Sequence, residues 1–123
     1  MNKKIVTRFA PSPTGFLHIG AYRTAIFAFL YAKHMGGEFI LRIEDTDKER
    51  NKKEYEQNII DSLNWMGLSH DRFYRQSENI ERHKEVLRDF INRGVAYISK
   101  EEAKDGSGVM RELIRFKNPN KVV

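Results

Sequence analysis

Arg8, Ser12, Thr14 and His18 fall in one short run, Arg8-Phe9-Ala10-Pro11-Ser12-Pro13-Thr14-Gly15-Phe16-Leu17-His18-Ile19-Gly20-Ala21, and all four side chains can donate hydrogen bonds. A guanidinium, two hydroxyls and an imidazole suit the gripping and polarising of carboxylates and phosphates. Arg8 can hold a carboxylate through two parallel hydrogen bonds. His18 can donate to a phosphate, and Gly20, with no Cβ, lets a ligand approach the backbone closely. Glu44 offers the opposite charge to an ammonium, or Arg8 and Glu44 simply pair with each other. Asp45 and Asp47 read as caps and solvating charges outside the site. The remaining histidines, His34, His70 and His83, have no metal-ligand spacing.

The elements that must position these groups follow from the patterning. Residues 5–9 read as a strand, interrupted by Pro11 and Pro13. Residues 20–35 form a helix whose apolar set is too broad for a surface stripe, which predicts that it is largely buried, and Gly36-Gly37 ends it. Residues 38–44 alternate as a second strand, parallel to the first because a helix connects them. The run therefore lies between a strand and a helix N-terminus, where open α/β sheets bind anions.

Thr46 to Glu49 has capping-box spacing for a helix to about Met66, with Tyr55, Ile59, Leu63 and Met66 on its inner face and Lys52, Lys53, Glu56 and Asp61 on the solvent side. Residues 71–76 supply a third strand. Ser77 is the expected N-cap of a helix through Arg93, with Ile80, Leu87, Phe90 and Ile91 inward and Gly94 closing it. Beyond it, residues 95–98 read as a strand and Ser99 to Glu102 as the capping box of a short helix. A turn at Asp105-Gly106-Ser107-Gly108 leads to a strand over residues 110–116, anchored by Leu113 and Phe116.

With 123 residues the chain can form one domain with a modest core. Lys and Arg number 22 against 17 Asp and Glu, a surplus that suits a polyanionic partner without identifying one. There is no cysteine, hence no disulfide framework or thiolate metal site in this sequence. No signal peptide or membrane span is read.

The run from Arg8 to Gly20, followed by Leu41-Arg42-Ile43-Glu44-Asp45-Thr46-Asp47, closely resembles the start of bacterial-type glutamyl-tRNA synthetases, which are class I aminoacyl-tRNA synthetases. The resemblance runs from Ile5 to the last residue and is tightest between Val6 and Asp47. It implies the α/β first half of a doubly wound, Rossmann-like parallel sheet over residues 1–94, followed over 95–123 by the start of an inserted domain that binds the tRNA acceptor end. It also implies an incomplete chain. The second half-sheet, a Lys-Met-Ser-Lys-Ser-like ATP loop and an anticodon-binding region have no counterpart here.

The implied reaction activates glutamate with ATP and Mg2+ to glutamyl-adenylate, then transfers it to the 3′ end of tRNA(Glu). By the same resemblance His18 and Gly20 are catalytic, Thr14, His18, Gly20 and Ala21 contact ATP, and Arg8, the backbone at Ala10, Ser12 and Glu44 contact glutamate. Ala21 stands where most class I enzymes carry a second histidine. Tyr97 and Ser99 occupy the places of a Cys-x-Cys pair that holds zinc in some relatives, so no zinc is expected. The family implies a cytoplasmic enzyme, monomeric when complete, with no membrane partner. A ligase that glutamylates a modified base of tRNA(Asp), and a non-catalytic nucleotide- or tRNA-binding remnant, remain as alternatives. Residues 1–123 alone should not charge tRNA.

Overall fold

Three short strands, β1 (Val6–Phe9), β2 (Glu38–Ile43) and β3 (Arg72–Arg75), form one parallel sheet in the order β1-β2-β3, linked by α1 (Ile19–His34) and α2 (Lys53–Trp65). The computed structural model describes residues 4–103 and 106–118. The expected unit of parallel strands joined by a helix is observed, with Thr7 opposite Phe39 and Leu41 opposite Phe73. Strict alternation decides the faces of β2. Phe39, Leu41 and Ile43 are fully buried and join Phe9, Ala25, Ala32, Ile59 and Leu63 in one core, while Glu38, Ile40 and Arg42 project to the other face. Each of the three buried side chains contributes about 1.5–3 kcal/mol through removal from water.

Two glycines close the first crossover. Gly36 takes φ 61°, the left-handed conformation that ends α1. Gly37 serves a different need, because a Cβ there would lie 2.2 Å from the Ile5 carbonyl oxygen, which accepts the Glu38 N–H at 2.9 Å. The start of β2 is thus drawn against the first strand at a place with no room for a side chain.

Several expectations are corrected. Helix α1 buries only Ala25 and Ala32, whereas Phe27, Leu30 and Tyr31 are 64%, 56% and 53% exposed, since the sheet covers only one side of the helix. Helix α2 starts at Lys53, not at the Thr46 capping box. Asp47 instead closes a turn, accepting the Arg50 N–H at 3.2 Å, and Lys52 is held extended with its N–H on the Pro13 carbonyl at 3.1 Å. Glu56 is not a purely solvent-side residue, because it accepts from Arg75 Nη2 at 2.7 Å. Ser77 caps no α-helix; it sits in a 3-10 turn, Gln76–Asn79, with its hydroxyl given to Asp45.

Chain contacts cluster into two units, Met1–Asn79 and Ile80–Val123. In the second, α3 (Ile80–Asn92) has no buried residue, so the inward positions proposed for it are only partly covered. The short helix expected at Ser99 is absent. Residues there continue β4 (Ala96–Glu102), which pairs antiparallel with β5 (Met110–Phe116), setting Ser99 opposite Leu113 and Lys100 opposite Glu112. Cross-strand pairing with β5 gives this segment backbone partners in the extended conformation, and it overrides the local cap. The expected anchors of β5 are exposed, although Phe116 meets the edge of Phe90 at 5.6 Å between centroids. Gly106 and Gly108 have positive φ, as a turn requires, and Asp105 lies outside the described residues.

Candidate functional site

The chain leaves β1 at Phe9 and reaches α1 through two buried prolines, Pro11 and Pro13. A proline can be buried in a non-repetitive segment without stranding an N–H, and its carbonyl stays free to accept. Both carbonyls do so across space. Pro11 takes the Glu44 N–H at 2.9 Å and Pro13 the Lys52 N–H at 3.1 Å, so the segment after β2 is tied to the turn after β1. Phe16 adds an edge-on contact with Tyr55 of α2 at 5.1 Å. These ties bring residues more than thirty positions apart to the carboxyl ends of adjacent strands.

At the other end of the turn, His18 is the N-cap of α1. Its Nδ1 accepts the Gly20 N–H at 3.2 Å, and its carbonyl accepts the Ala21 N–H at 2.9 Å. With Nδ1 occupied as an acceptor, the ring proton of the neutral imidazole belongs on Nε2, which is left to donate outward. No acidic residue occupies the first turn of α1, so nothing there offsets the positive end of the helix dipole. Gly20 has a local reason to be glycine that the sequence did not disclose: a Cβ would approach His18 Cε1 to 3.0 Å and Nδ1 to 3.1 Å, crowding the imidazole off its cap.

A cleft of about 350 Å³ is lined by Ala10, Ser12, Thr14, His18 and Ala21 among others, which gathers five of the predicted site residues. Arg8, Gly20 and Glu44 are not in its lining. Arg8 lies on the sheet face away from the helices, in register with Ile40, and its Nη1 is 3.7 Å from Glu44 Oε1, an ion pair too long for a hydrogen bond. Glu44 is held more tightly by groups the sequence reading passed over. Arg42 Nε and Nη2 lie 2.6 and 2.5 Å from Oε1, and Gln76 Nε2 donates to Oε2 at 3.2 Å. The i, i+2 spacing of Arg42 and Glu44 at the end of a strand was the available signal for the first contact. Gln76 comes from β3's far end, and nothing local announced it.

Asp45, set aside as a solvating charge, is a structural latch. It accepts both the N–H of Ser77, at 2.8 Å, and its hydroxyl, joining the segment after β2 to the turn after β3. Burial pushes its carboxyl up, but the two Ser77 hydrogen bonds outweigh that and hold it below the ordinary 3.8. A larger cleft of about 640 Å³ between α1 and α2 is lined by Ile19, Tyr22, Ile26, Phe27, Trp65 and Met66 with few polar groups. Arg23, Asp61 and Ser62 also line it, and it contains none of the predicted site residues. Among the described residues no cluster of three or more His, Asp or Glu side chains could hold a metal.

Residues 4–119 match a family model described as "tRNA synthetases class I (E and Q), catalytic domain". The chain is 55% identical over 94 residues to the glutamate-tRNA ligase of Aquifex aeolicus, covering 76% of this chain and 20% of that protein. It is 50% identical over 118 residues to glutamate-tRNA ligase 1 of Mesorhizobium japonicum, covering 95% of this chain and 25% of the relative. The fold matches the crystal structure of a glutamate tRNA ligase from Elizabethkingia meningosepticum in complex with its amino acid, with TM-score 0.78 and 39% identity over 84% of this chain and 22% of that one. The chain thus spans about a fifth of the length of the Aquifex relative.

Proposed function

Since the chain belongs to the class I tRNA synthetase (E and Q) catalytic-domain family, and within it to the glutamate-tRNA ligases, we propose that it contributes the glutamate site and one side of the ATP site to a glutamate-tRNA ligase. The observation that carries this reading is the turn itself. Prolines 11 and 13 bind the segment after β2 to the segment after β1, which sets Arg8 beside Glu44, while His18 caps the helix into which the same turn leads.

In this reading Arg8 grips the side-chain carboxylate of glutamate, Glu44 its ammonium, and Ser12 with the Ala10 backbone its remaining polar groups. Thr14, His18, Gly20 and Ala21 meet ATP, with the outward Nε2–H of His18 donating to a phosphate and Gly20 admitting the nucleotide to the helix end. The α-carboxylate of glutamate attacks the α-phosphate of ATP and pyrophosphate leaves; the tRNA 3′-terminal ribose hydroxyl then attacks the glutamyl carbonyl and AMP leaves. The protein's part in both steps is alignment and charge stabilisation. The reaction would use a Mg2+ ion brought in with ATP. That ion would neutralise phosphate charge. Residues 1–94 would then be the first half of the catalytic sheet and 95–123 the start of the acceptor-binding insertion, free of zinc, in a cytoplasmic enzyme that is monomeric when complete and uses tRNA(Glu).

The test is a chimera in which this chain replaces the matching segment of the Aquifex aeolicus ligase. The chimera should charge tRNA(Glu) with radiolabelled glutamate, and His18→Ala should reduce charging by about 10²-fold or more, as loss of one preorganised donor to a reacting group does. The 123-residue chain alone should not charge it. Charging unaffected by His18→Ala would remove His18 from the reaction.

A further inference from the structure

Arg42 has no task in the mechanism above, yet it makes the shortest contacts to Glu44. It holds Glu44 Oε1 through Nε and Nη2 at 2.6 and 2.5 Å, and Gln76 occupies Oε2. Arg8 stays 3.7 Å from Oε1. A lone arginine and glutamate at this separation, each partly exposed, would close to hydrogen-bonding distance, because charge-assisted pairs are the strongest hydrogen bonds available to them. They do not close here, where Arg42 holds Oε1 and Gln76 holds Oε2.

Charge counting makes the same point. Arg8, Arg42 and Glu44 together carry one net positive charge, which a ligand carboxylate would cancel. Without Arg42, Arg8 and Glu44 would neutralise each other and nothing would remain to attract that carboxylate.

We propose that Arg42, assisted by Gln76, is a positioning residue that holds Glu44 off Arg8, so that one cation and one anion both stay open to an α-amino acid with a side-chain carboxylate. This rests on the reading of the turn as an amino-acid site. Arg42 touches no ligand itself. It acts by denying Glu44 the partner that would close the site.

The test uses the 123-residue chain and glutarate, which carries both carboxylates but no ammonium and so has no use for Glu44. Arg42→Gln should weaken glutarate binding about tenfold, equivalent to about 1.4 kcal/mol. Arg42→Lys, which keeps the charge but loses the fork, should fall between and guards against a variant that does not fold. Adding Glu44→Gln to Arg42→Gln removes the competing carboxylate and should restore glutarate binding to within about twofold of the original chain. A double variant as weak as Arg42→Gln alone would mean that Arg42 merely supports the sheet, and the proposal falls. A second readout is the Arg8 Nε–Hε NMR signal, which should shift in Arg42→Gln as Arg8 captures Glu44 and be unchanged in the double variant. If the original chain binds no glutarate, the amino-acid reading fails, while the Arg8 signal still decides the proposal: a shift supports it and an unmoved signal overturns it.

Discussion

Strand β2 and strand β5 are both short and rich in apolar residues, yet every second residue of β2 is fully buried while all seven of β5 are exposed. Around β2 the helices α1 and α2 close over one sheet face, and the alternation in the sequence is converted into a core. Around β5 the hairpin partner pairs one edge of the backbone, but the described residues bring no comparable layer over its side chains. Patterning alone therefore specifies that a segment is a strand in both cases. Only the presence of a covering element decides what the pattern contributes in free energy.

The sharpest way to break this contrast is to truncate matched aromatics. Phe39→Ala should cost about 3–5 kcal/mol by leaving a cavity under α1, whereas Phe116→Ala, at a 61% exposed position, should cost well under about 1 kcal/mol. Urea unfolding of the two variants checks it, and equal losses would mean that the hairpin is as firmly packed as the sheet. Next in size is Gly37→Ala, expected to cost about 1–3 kcal/mol because the new methyl meets the Ile5 carbonyl and the strands must separate. Gly106→Ala, in the hairpin turn, meets no atom within 4 Å and should lose only what its positive φ demands, about 1 kcal/mol.

A smaller effect concerns acid. The Lys33 ammonium, and after it the Phe39 N–H, hold the Asp71 carboxyl below its ordinary 3.8. A carboxyl lowered in the folded state binds fewer protons there than in the unfolded chain, so its stabilisation is complete above the ordinary value and fades as pH falls through the lowered one. Asp71→Asn should therefore flatten the loss of stability below about pH 4. The same slope in both proteins would exclude Asp71 as a source of acid sensitivity. The smallest effect is expected at Ser99. With Ser99 in a strand and not at a helix start, Ser99→Ala should change stability by less than about 0.5 kcal/mol, whereas loss of a true N-cap would cost about 1 kcal/mol.

The parts of the molecule that were legible in the sequence are those whose cause is local. Alternation over residues 38–43 set the faces of β2, the proline pair marked the turn, and helical spacing placed Ile59 and Leu63 in the core. The three capping errors share one origin. Thr46, Ser77 and Ser99 each carry a plausible capping signal, but a partner from elsewhere in the chain fixed each segment: the Pro13 carbonyl at Lys52, the Asp45 carboxylate at Ser77, and the β5 ladder at Ser99. The site divides the same way. Arg8 and Glu44 could be paired by charge and position, while Gln76 as a partner of Glu44 could not, because its approach depends on the register of β3 against β2.

The most direct test of the proposed site is to titrate the isotope-labelled chain separately with L-glutamate and with ATP, following its amide NMR signals. Glutamate should move Arg8, Ala10, Ser12 and Glu44, while ATP moves Thr14, His18, Gly20 and Ala21. Arg8→Gln should then weaken glutamate by about 2–4 kcal/mol and leave ATP nearly unchanged, as expected when a hydrogen-bonded charge contact to one ligand is lost. Signals that move chiefly in the 96–116 hairpin, or an Arg8→Gln variant that loses both ligands equally, would contradict a site built on the turn between β1 and α1.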